Sequence, residues 1–134
     1  MYSMENLKIL VIILTYNEEG SIRDVIMGVR KYLSYADILV IDGGSSDRTV
    51  DIVESLGCLV MHIPSTLGIG GAVEAGYIYA AQNNYQYLVR IDGDGQHNTE
   101  DIHKLMKPVL DGSVDVAIGS RKFGRDYYSS TLFR

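Results

Sequence analysis

The sequence predicts an α/β protein in which a mostly parallel sheet has helices on both faces, a Rossmann-like three-layer fold. Short apolar runs rich in β-branched residues alternate along the chain with segments of helical apolar spacing. This alternation is typical of parallel sheets with helical crossovers. Most of the apolar runs lead directly into a polar cluster. Ligands of such sheets bind outside the carboxyl ends of the strands, so these clusters are candidate site residues.

The predicted strands are short apolar runs bounded by turn residues and charged residues. They span residues 9–14, 38–41, 58–61, 87–89 with the motif that follows, and 114–119. Together they predict one sheet and a single domain covering residues 1–134, since the chain contains no repeat, linker or low-complexity tract.

Four amphipathic or small-residue segments between the strands predict helices. Apolar residues at helical spacing place the first at 22–33, where Asn17 or Ser21 is expected to cap it. The second, around 52–56, is expected to end at Gly57. The third, 68–80, is rich in small residues, which predicts close packing against a sheet or a ligand. The fourth, 102–110, is expected to be capped by Asn98 or Thr99.

The composition excludes several functional classes. With 46% hydrophobic and 22% charged residues, the 134-residue chain is an ordinary globular protein. A net charge of −5 without a basic run predicts no nucleic-acid partner. The one cysteine, Cys58, cannot form an internal disulfide, and the apolar run at 9–14 is too short to span a membrane. These features predict a soluble, cytoplasmic protein.

The motif after the fourth strand, Asp92-Gly93-Asp94, places two carboxylates two residues apart. A divalent cation that also holds a diphosphate would compensate this charge, because hard cations prefer oxygen ligands. The alternative is a glycine-rich turn in which the aspartates accept hydrogen bonds from backbone N–H groups. The motif alone does not separate the two.

Four polar clusters are expected to meet at one edge of the sheet, which favours a ligand site over four independent turns. They are 15–18, Asp42, Asp92 with Asp94, and Ser120 with Arg121. Two familiar nucleotide motifs are absent. The glycines at 68–71 do not follow the first strand or complete G-x-G-x-x-G, and no G-x-x-x-x-G-K-[ST] occurs.

The set of motifs resembles the family 2 glycosyltransferases, inverting enzymes of the GT-A fold, and is nearest to the polyprenyl-phosphate (dolichol-phosphate) mannosyl- and glucosyltransferase branch. The segments that resemble it are 15–19, 42–49, 68–72, 92–97 and 118–121. The resemblance extends from about Lys8 to Arg121. It implies that this chain is the N-terminal, donor-binding part of such an enzyme.

By this resemblance, Asp94 is expected to bind Mg²⁺ or Mn²⁺ directly, with Asp92 beside it at the metal or the ribose, and both are the expected catalytic residues. The residues expected to bind the nucleotide are Thr15, Tyr16, Glu18, Asp42 and Arg121. Gln96 and His97 are expected to face the donor sugar or diphosphate. Many relatives carry a second aspartate at Gly43, so base recognition would depend on Asp42 alone.

Each assignment has a simpler alternative. Asp42 is a candidate turn or helix cap, and Arg121 a candidate partner of a surface acid. His97 stands near a helix start, where a purely structural role is common. His62 and His103 show no partner pattern and receive no role.

The resemblance implies a nucleotide-diphosphate sugar as donor, UDP- or GDP-linked, and a lipid phosphate or a saccharide as acceptor. The relatives continue past the equivalent of Arg134 with the acceptor site and any catalytic base, and no candidate base is found here. An exposed apolar tail (Tyr127, Tyr128, Leu132 and Phe133) would then favour self-association, and the full-length protein could work at the cytoplasmic face of a membrane. The alternatives are a non-catalytic nucleotide-binding module and a sugar nucleotidyltransferase.

Overall fold

The computed structural model describes residues 6–119. The chain divides into two units, one ending at Glu100 and the other beginning at Asp101, and each is described by itself. The first unit contains the whole of the described sheet and three of the four described α-helices. It therefore contains most of the predicted site.

The sheet of the first unit has four strands, all parallel, in the order β3-β2-β1-β4. The strands are β1 (Ile9–Thr15), β2 (Asp37–Asp42), β3 (Leu59–His62) and β4 (Tyr87–Asp92). The predicted parallel α/β fold and these four strands are confirmed. The most apolar run, β1, lies in the interior of the sheet between β2 and β4.

Three helices connect the strands, as parallel pairing requires. They are α1 (Ile22–Tyr32), α2 (Thr49–Ser55) and α3 (Gly68–Gln82), and a 3₁₀ turn at Ser65–Leu67 precedes α3. Gly57 follows α2 with φ +73°, a left-handed conformation that ends helices and favours glycine. The helices predicted from apolar spacing are thus confirmed.

Alternation along the central strands builds a core on each face of the sheet. On one face, Leu10, Ile12, Leu39 and Ile41 form a buried cluster with Ala72 and Ala80 of α3. The side chains that alternate with them, such as Val11 and Val40, point to the opposite face and are fully buried. Helix α1 also buries apolar residues, Ile22, Ile26 and Val29.

Gly76 explains why α3 is rich in small residues. A Cβ at this position would stand 2.8 Å from Cδ1 of Ile12 and 3.0 Å from Cδ1 of Ile41. Both isoleucines are buried in the sheet, so a side chain at position 76 would have no room. Glycine at this position therefore allows α3 to lie close to the strands. The predicted close packing is therefore against the sheet.

The second unit contains α4 (Ile102–Leu110), which confirms the fourth predicted helix. Neither Asn98 nor Thr99 caps it: Asp101 precedes the helix, and a 3₁₀ turn occupies Thr99–Asp101. Asn98 instead accepts a hydrogen bond from the backbone N–H of Glu100 at 3.1 Å. The expected caps were wrong because the chain enters the helix through this extra turn.

The prediction of a fifth strand at residues 114–119 was wrong. These residues belong to no strand, and Val114, Val116 and Ile118 are exposed. Alternating apolar residues supply strand propensity, but a strand forms only where its backbone groups pair with a neighbouring strand. In residues 6–119, no helix is both long and apolar enough to cross a membrane.

Candidate functional site

The carboxyl ends of three adjacent strands bring three predicted clusters to one edge of the sheet. Thr15 of β1 is the register partner of Asp42 of β2, and Leu14 is the partner of Asp92 of β4. The fourth predicted cluster, Ser120 with Arg121, lies outside the described residues, as does the apolar tail. The candidate site is therefore described from its first three clusters.

The loops after β1 and β2 are bonded to each other. Asn17 has φ +51°, and its Oδ1 accepts hydrogen bonds from the backbone N–H groups of Ser46 at 2.8 Å and Asp47 at 3.3 Å. The backbone N–H of Asn17 donates to Oγ of Ser45 at 2.8 Å. The expectation that Asn17 caps α1 was wrong, because its side chain bonds to the neighbouring loop instead.

A second set of bonds holds Glu18 and Glu19 against the start of α2. The buried hydroxyl of Thr49 accepts the backbone N–H of Glu18 at 2.8 Å and donates to Oδ1 of Asp47. The backbone N–H of Glu19 donates to Oδ2 of Asp47 at 3.1 Å. Much of the 42–49 motif thus shapes the site without needing to touch a ligand.

Asp42 is buried, with 1% of its surface exposed, and its carboxylate is heavily used within its own turn. Oδ2 accepts hydrogen bonds from the backbone N–H groups of Gly44 at 3.1 Å and Ser45 at 3.0 Å, and Oδ1 accepts the Ser45 hydroxyl at 2.5 Å. Nδ1 of His62, its register partner on β3, lies 3.9 Å from Oδ2. The turn-capping role is observed, and contact with a base remains a prediction.

Thr15 and Tyr16 differ sharply in exposure. Thr15 is 6% exposed, and its hydroxyl has no hydrogen-bond partner among residues 6–119. Buried hydroxyls are normally satisfied, so this unpaired group at the strand end needs an explanation. Tyr16, which follows Thr15 at the same edge, is 58% exposed.

The carboxylates of this edge affect one another's ionisation. Burial, followed by the negative charge of Asp94, raises the pKa of Glu18 above its ordinary value. Asp47 and Asp92 add to this effect. The edge therefore concentrates negative charge that a bound cation would relieve.

The turn after β4 holds its two aspartates differently. The Asp92 carboxylate has Nη2 of Arg90 at 3.7 Å and Nε2 of His97 at 3.8 Å. The backbone N–H of Asp92 donates to Nδ1 of His97 at 3.2 Å, so this ring folds back over Asp92. Asp94 is exposed, and its Oδ1 accepts the backbone N–H of Gln96 at 2.9 Å. Contacts of Gln96 and His97 with a sugar remain predictions.

Two further hydrogen bonds and a close packing contact hold this turn against the end of β1 and the start of α1. The Ser21 hydroxyl donates to the carbonyl of Gly93 at 2.6 Å, and the Gly93 N–H donates to the carbonyl of Leu14 at 2.8 Å. A Cβ on Gly93 would stand 3.1 Å from both the Leu14 carbonyl and the Thr15 hydroxyl. Sequence reasoning considered Ser21 only as a cap and gave Thr49 no individual role, because their partners are distant in sequence.

The donor set suits a cation that is shared with phosphates. Within residues 6–119, no three His, Cys, Asp or Glu side chains lie together as a complete metal site. Mg²⁺ commonly takes one or two carboxylates and completes its shell with phosphate and water. Asp94, which is exposed, and its neighbour Asp92 fit that smaller requirement.

Two cavities lie at opposite ends of the strands. One of about 330 Å³ borders the turn after β4 and is lined by Asp24, Val25 and residues 95–99. A larger one, of about 560 Å³, lies at the amino ends of the strands beside Arg30 and Cys58. Volume alone would favour the second, but the carboxylates and the unpaired hydroxyl favour the carboxyl edge.

Solved structures share this fold. A glucosyl-3-phosphoglycerate synthase from Mycobacterium tuberculosis, crystallised with Mn²⁺, UDP-glucose and phosphoglyceric acid, superposes with a TM-score of 0.65 at 26% identity. The match covers 81% of this chain and 41% of that one.

Curated relatives show a closer likeness in sequence. The polyprenol monophosphomannose synthase of Mycolicibacterium smegmatis is 37% identical over 118 residues, which is 84% of this chain and 44% of the relative. The undecaprenyl-phosphate mannosyltransferase of Micrococcus luteus is 34% identical over 121 residues, which is 87% of this chain and 49% of the relative. The chain thus spans about half the length of these relatives.

The family assignment follows from the extent of the match. Residues 10–129 match the family described as "Glycosyl transferase family 2". This range contains β1 from Leu10 onward, the whole of β2, β3 and β4, and every predicted site residue. The chain belongs to glycosyl transferase family 2.

Proposed function

We propose that the chain is the donor-binding part of an inverting glycosyltransferase that uses a nucleotide-diphosphate sugar together with Mg²⁺ or Mn²⁺. The proposed acceptor is a polyprenyl phosphate, which would place the whole protein at the cytoplasmic face of a membrane. The names of two curated relatives support a lipid-phosphate acceptor, and the neighbour crystallised with Mn²⁺ and UDP-glucose supports the donor and the cation.

The main support for the proposal is the concentration of carboxylates at the carboxyl edge of the sheet. Glu18 lies close enough to Asp94 and Asp92 for their charges to raise its pKa. Such clustering is unfavourable without a cation. A divalent ion bound between the carboxylates and a diphosphate would balance both sets of negative charge.

The proposed roles follow the position of each residue. Asp94, with Asp92 beside it, would hold the cation. The nucleotide would lie over the ends of β1 and β2, where Thr15, Tyr16, Glu18 and Asp42 are found. Gln96 and His97 would border the sugar and diphosphate, and Arg121 would contact the phosphates.

The proposed reaction is a single displacement. An acceptor oxygen attacks the anomeric carbon, the bond from that carbon to the diphosphate oxygen breaks, and the electron pair leaves with the nucleoside diphosphate. When bound, the cation supplies Lewis-acid stabilisation of the departing charge. The chain's own contribution is to hold the donor in one orientation. A phosphate acceptor is already ionised at neutral pH, so it does not require a strong base.

Donor binding is tested on this chain, and transfer is tested on the whole protein of which it is proposed to be the donor-binding part. UDP-glucose, UDP-N-acetylglucosamine and GDP-mannose are each added with and without MnCl₂ while thermal unfolding is followed. A ligand at about 100 times its Kd stabilises the folded state by about 2.7 kcal/mol, so at least one donor with Mn²⁺ should raise the Tm by several degrees. No shift with any donor would contradict the proposal.

Transfer is measured as incorporation of labelled sugar from the active donor. Undecaprenyl phosphate and a free saccharide serve as parallel acceptors. Labelling of the lipid phosphate supports the proposed acceptor, and labelling of the saccharide alone overturns that part.

A further inference from the structure

Ser21 stands immediately before α1, in the position of a helix N-cap, but its hydroxyl does not cap the helix. Cap serines usually accept an N–H of the first helical turn. Here the nearest acceptors of the Ser21 hydroxyl are the Gly93 carbonyl at 2.6 Å and Oε2 of Glu18 at 3.5 Å. A hydroxyl donates one proton, so the shorter contact is the bond that holds it.

The acceptor of this bond belongs to the residue between the two aspartates. Ser21 therefore links the loop of Glu18 to the turn of Asp92 and Asp94 across 72 positions of sequence. The side chain also packs against that turn, since its Cβ lies 3.5 Å from where a Cβ on Gly95 would stand. Gly95 has φ +78°, so this turn adopts a backbone conformation that favours glycine.

The opposite side of the turn is held by β1. Gly93 donates to the Leu14 carbonyl at 2.8 Å and has no room for a side chain against the Thr15 hydroxyl. Ser21 and β1 thus hold the backbone of Gly93 from two directions, one through its carbonyl and the other through its N–H. Removing the hydroxyl leaves the β1 contact and frees the other side.

We propose that Ser21 is a positioning residue for the cation and diphosphate site, acting through the Gly93 carbonyl to fix where Asp92 and Asp94 present their carboxylates. The inference rests on the proposed function for the ligand, a nucleoside diphosphate with a divalent cation. It adds a residue that is not expected to touch that ligand.

The test compares Ser21→Ala and Ser21→Cys, which lose the strong donor, with Ser21→Thr, which keeps it. Ser55→Ala is the matched control, because Ser55 lies exposed on α2 and its hydroxyl donates to the Ile52 carbonyl at 2.7 Å. The Kd of UDP and of GDP is measured with MnCl₂ and again in EDTA, well below each variant's Tm. Amide hydrogen exchange of Gly93 and Gln96 is measured without ligand.

Loss of one hydrogen bond should weaken Mn²⁺-dependent nucleotide binding roughly three- to tenfold in Ser21→Ala and Ser21→Cys. The Kd in EDTA should stay within about twofold, and exchange at Gly93 and Gln96 should accelerate by a similar three- to tenfold factor. Ser21→Thr should recover both, and Ser55→Ala should change neither.

Unchanged Mn²⁺-dependent affinity in Ser21→Ala and Ser21→Cys would overturn the inference while leaving the proposed function intact. Equal weakening with Mn²⁺ and in EDTA would also overturn it, because it would indicate a general structural role. Absence of nucleotide binding by the unmodified chain would instead overturn the proposed function. Exchange at Gly93 would then still report on whether Ser21 holds the turn.

Discussion

The hydroxyl of Thr49 accepts the backbone N–H of Glu18 at 2.8 Å, so a fully buried side chain at the start of α2 fixes the loop that follows β1. The same hydroxyl donates to Asp47, whose other oxygen accepts the backbone N–H of Glu19. One threonine thereby joins the two loops that form this side of the candidate site.

Thr49→Val should lower the free energy of unfolding by about 1–2 kcal/mol. The change keeps the shape of the side chain but leaves a partly buried N–H without its acceptor. Urea denaturation monitored by circular dichroism measures the difference, and Thr49→Ser should restore most of the lost stability. Equal stability of Thr49→Val and the unmodified chain would show that the bond contributes nothing.

Thr15→Val should maintain or raise the stability of the free chain but weaken its binding of nucleotide. Removing a buried hydroxyl that has no partner should leave stability unchanged or raise it by up to about 1 kcal/mol. If that hydroxyl binds the nucleotide, the Kd for UDP or GDP should rise several-fold. Thermal unfolding and calorimetric titration on the same samples check both; unchanged nucleotide affinity would remove Thr15 from the site.

Glu18→Gln should stabilise the free chain at neutral pH. The pKa of Glu18 is raised in the folded chain, mainly by burial and then by Asp94, so ionisation favours unfolding. The stability contributed by this group is present below its unfolded pKa and is lost as pH rises through the higher folded pKa. Because the side chain is partly exposed, solvent screens its charge, and the gain in Tm should be only about 1–3 °C.

The pH dependence separates this effect from a general change in stability. The advantage of Glu18→Gln should shrink as pH falls through the raised folded pKa and should be gone below the ordinary glutamate pKa of 4.5. Glu74→Gln, which removes a carboxylate at an exposed site on α3, is the matched control for the loss of one negative charge away from this edge. A gain that is the same at pH 4 and pH 7 would argue against charge crowding at the site.

Two glycines of α3 should respond oppositely to alanine. Gly70→Ala meets nothing within 4 Å, so better helix propensity should stabilise the chain by up to about 1 kcal/mol. Gly76→Ala would place a Cβ 2.8 Å from Ile12, and overpacking should destabilise it by about 1–3 kcal/mol. Chemical denaturation of both variants tests the close approach of α3 to the sheet; the same sign for both would contradict it.

The fold was largely predictable because its signals are local. The apolar run of β1 and the spacing of Ile22, Val25 and Ile26 in α1 each indicate one element without knowledge of the rest. Residues 114–119 show the limit: their alternation predicts a strand, but strand formation depends on a neighbour. The convergence of Thr15, Asp42 and Asp92 was also predictable, since parallel strands place their carboxyl ends at one edge.

The functions of individual polar side chains in this edge were not predictable. Asn17 and Ser21 both have the chemistry of helix caps, and both bond to loops that lie 29 and 72 positions away. Asp42 uses its carboxylate on its own turn, an alternative that the sequence left open. Such choices depend on tertiary neighbours rather than on residue type.

Calorimetric titration of UDP and GDP into the unmodified chain and Asp94→Asn, with MnCl₂ and with EDTA, tests most directly whether the turn of Asp94 binds the cation and diphosphate. Asp51→Asn, an exposed change on α2, is the control. We expect Mn²⁺-dependent binding that Asp94→Asn weakens at least about tenfold, because a charged ligand is lost, while Asp51→Asn leaves it unchanged. Binding by Asp94→Asn as tight as that of the unmodified chain would contradict the assignment of this turn as the cation and diphosphate site.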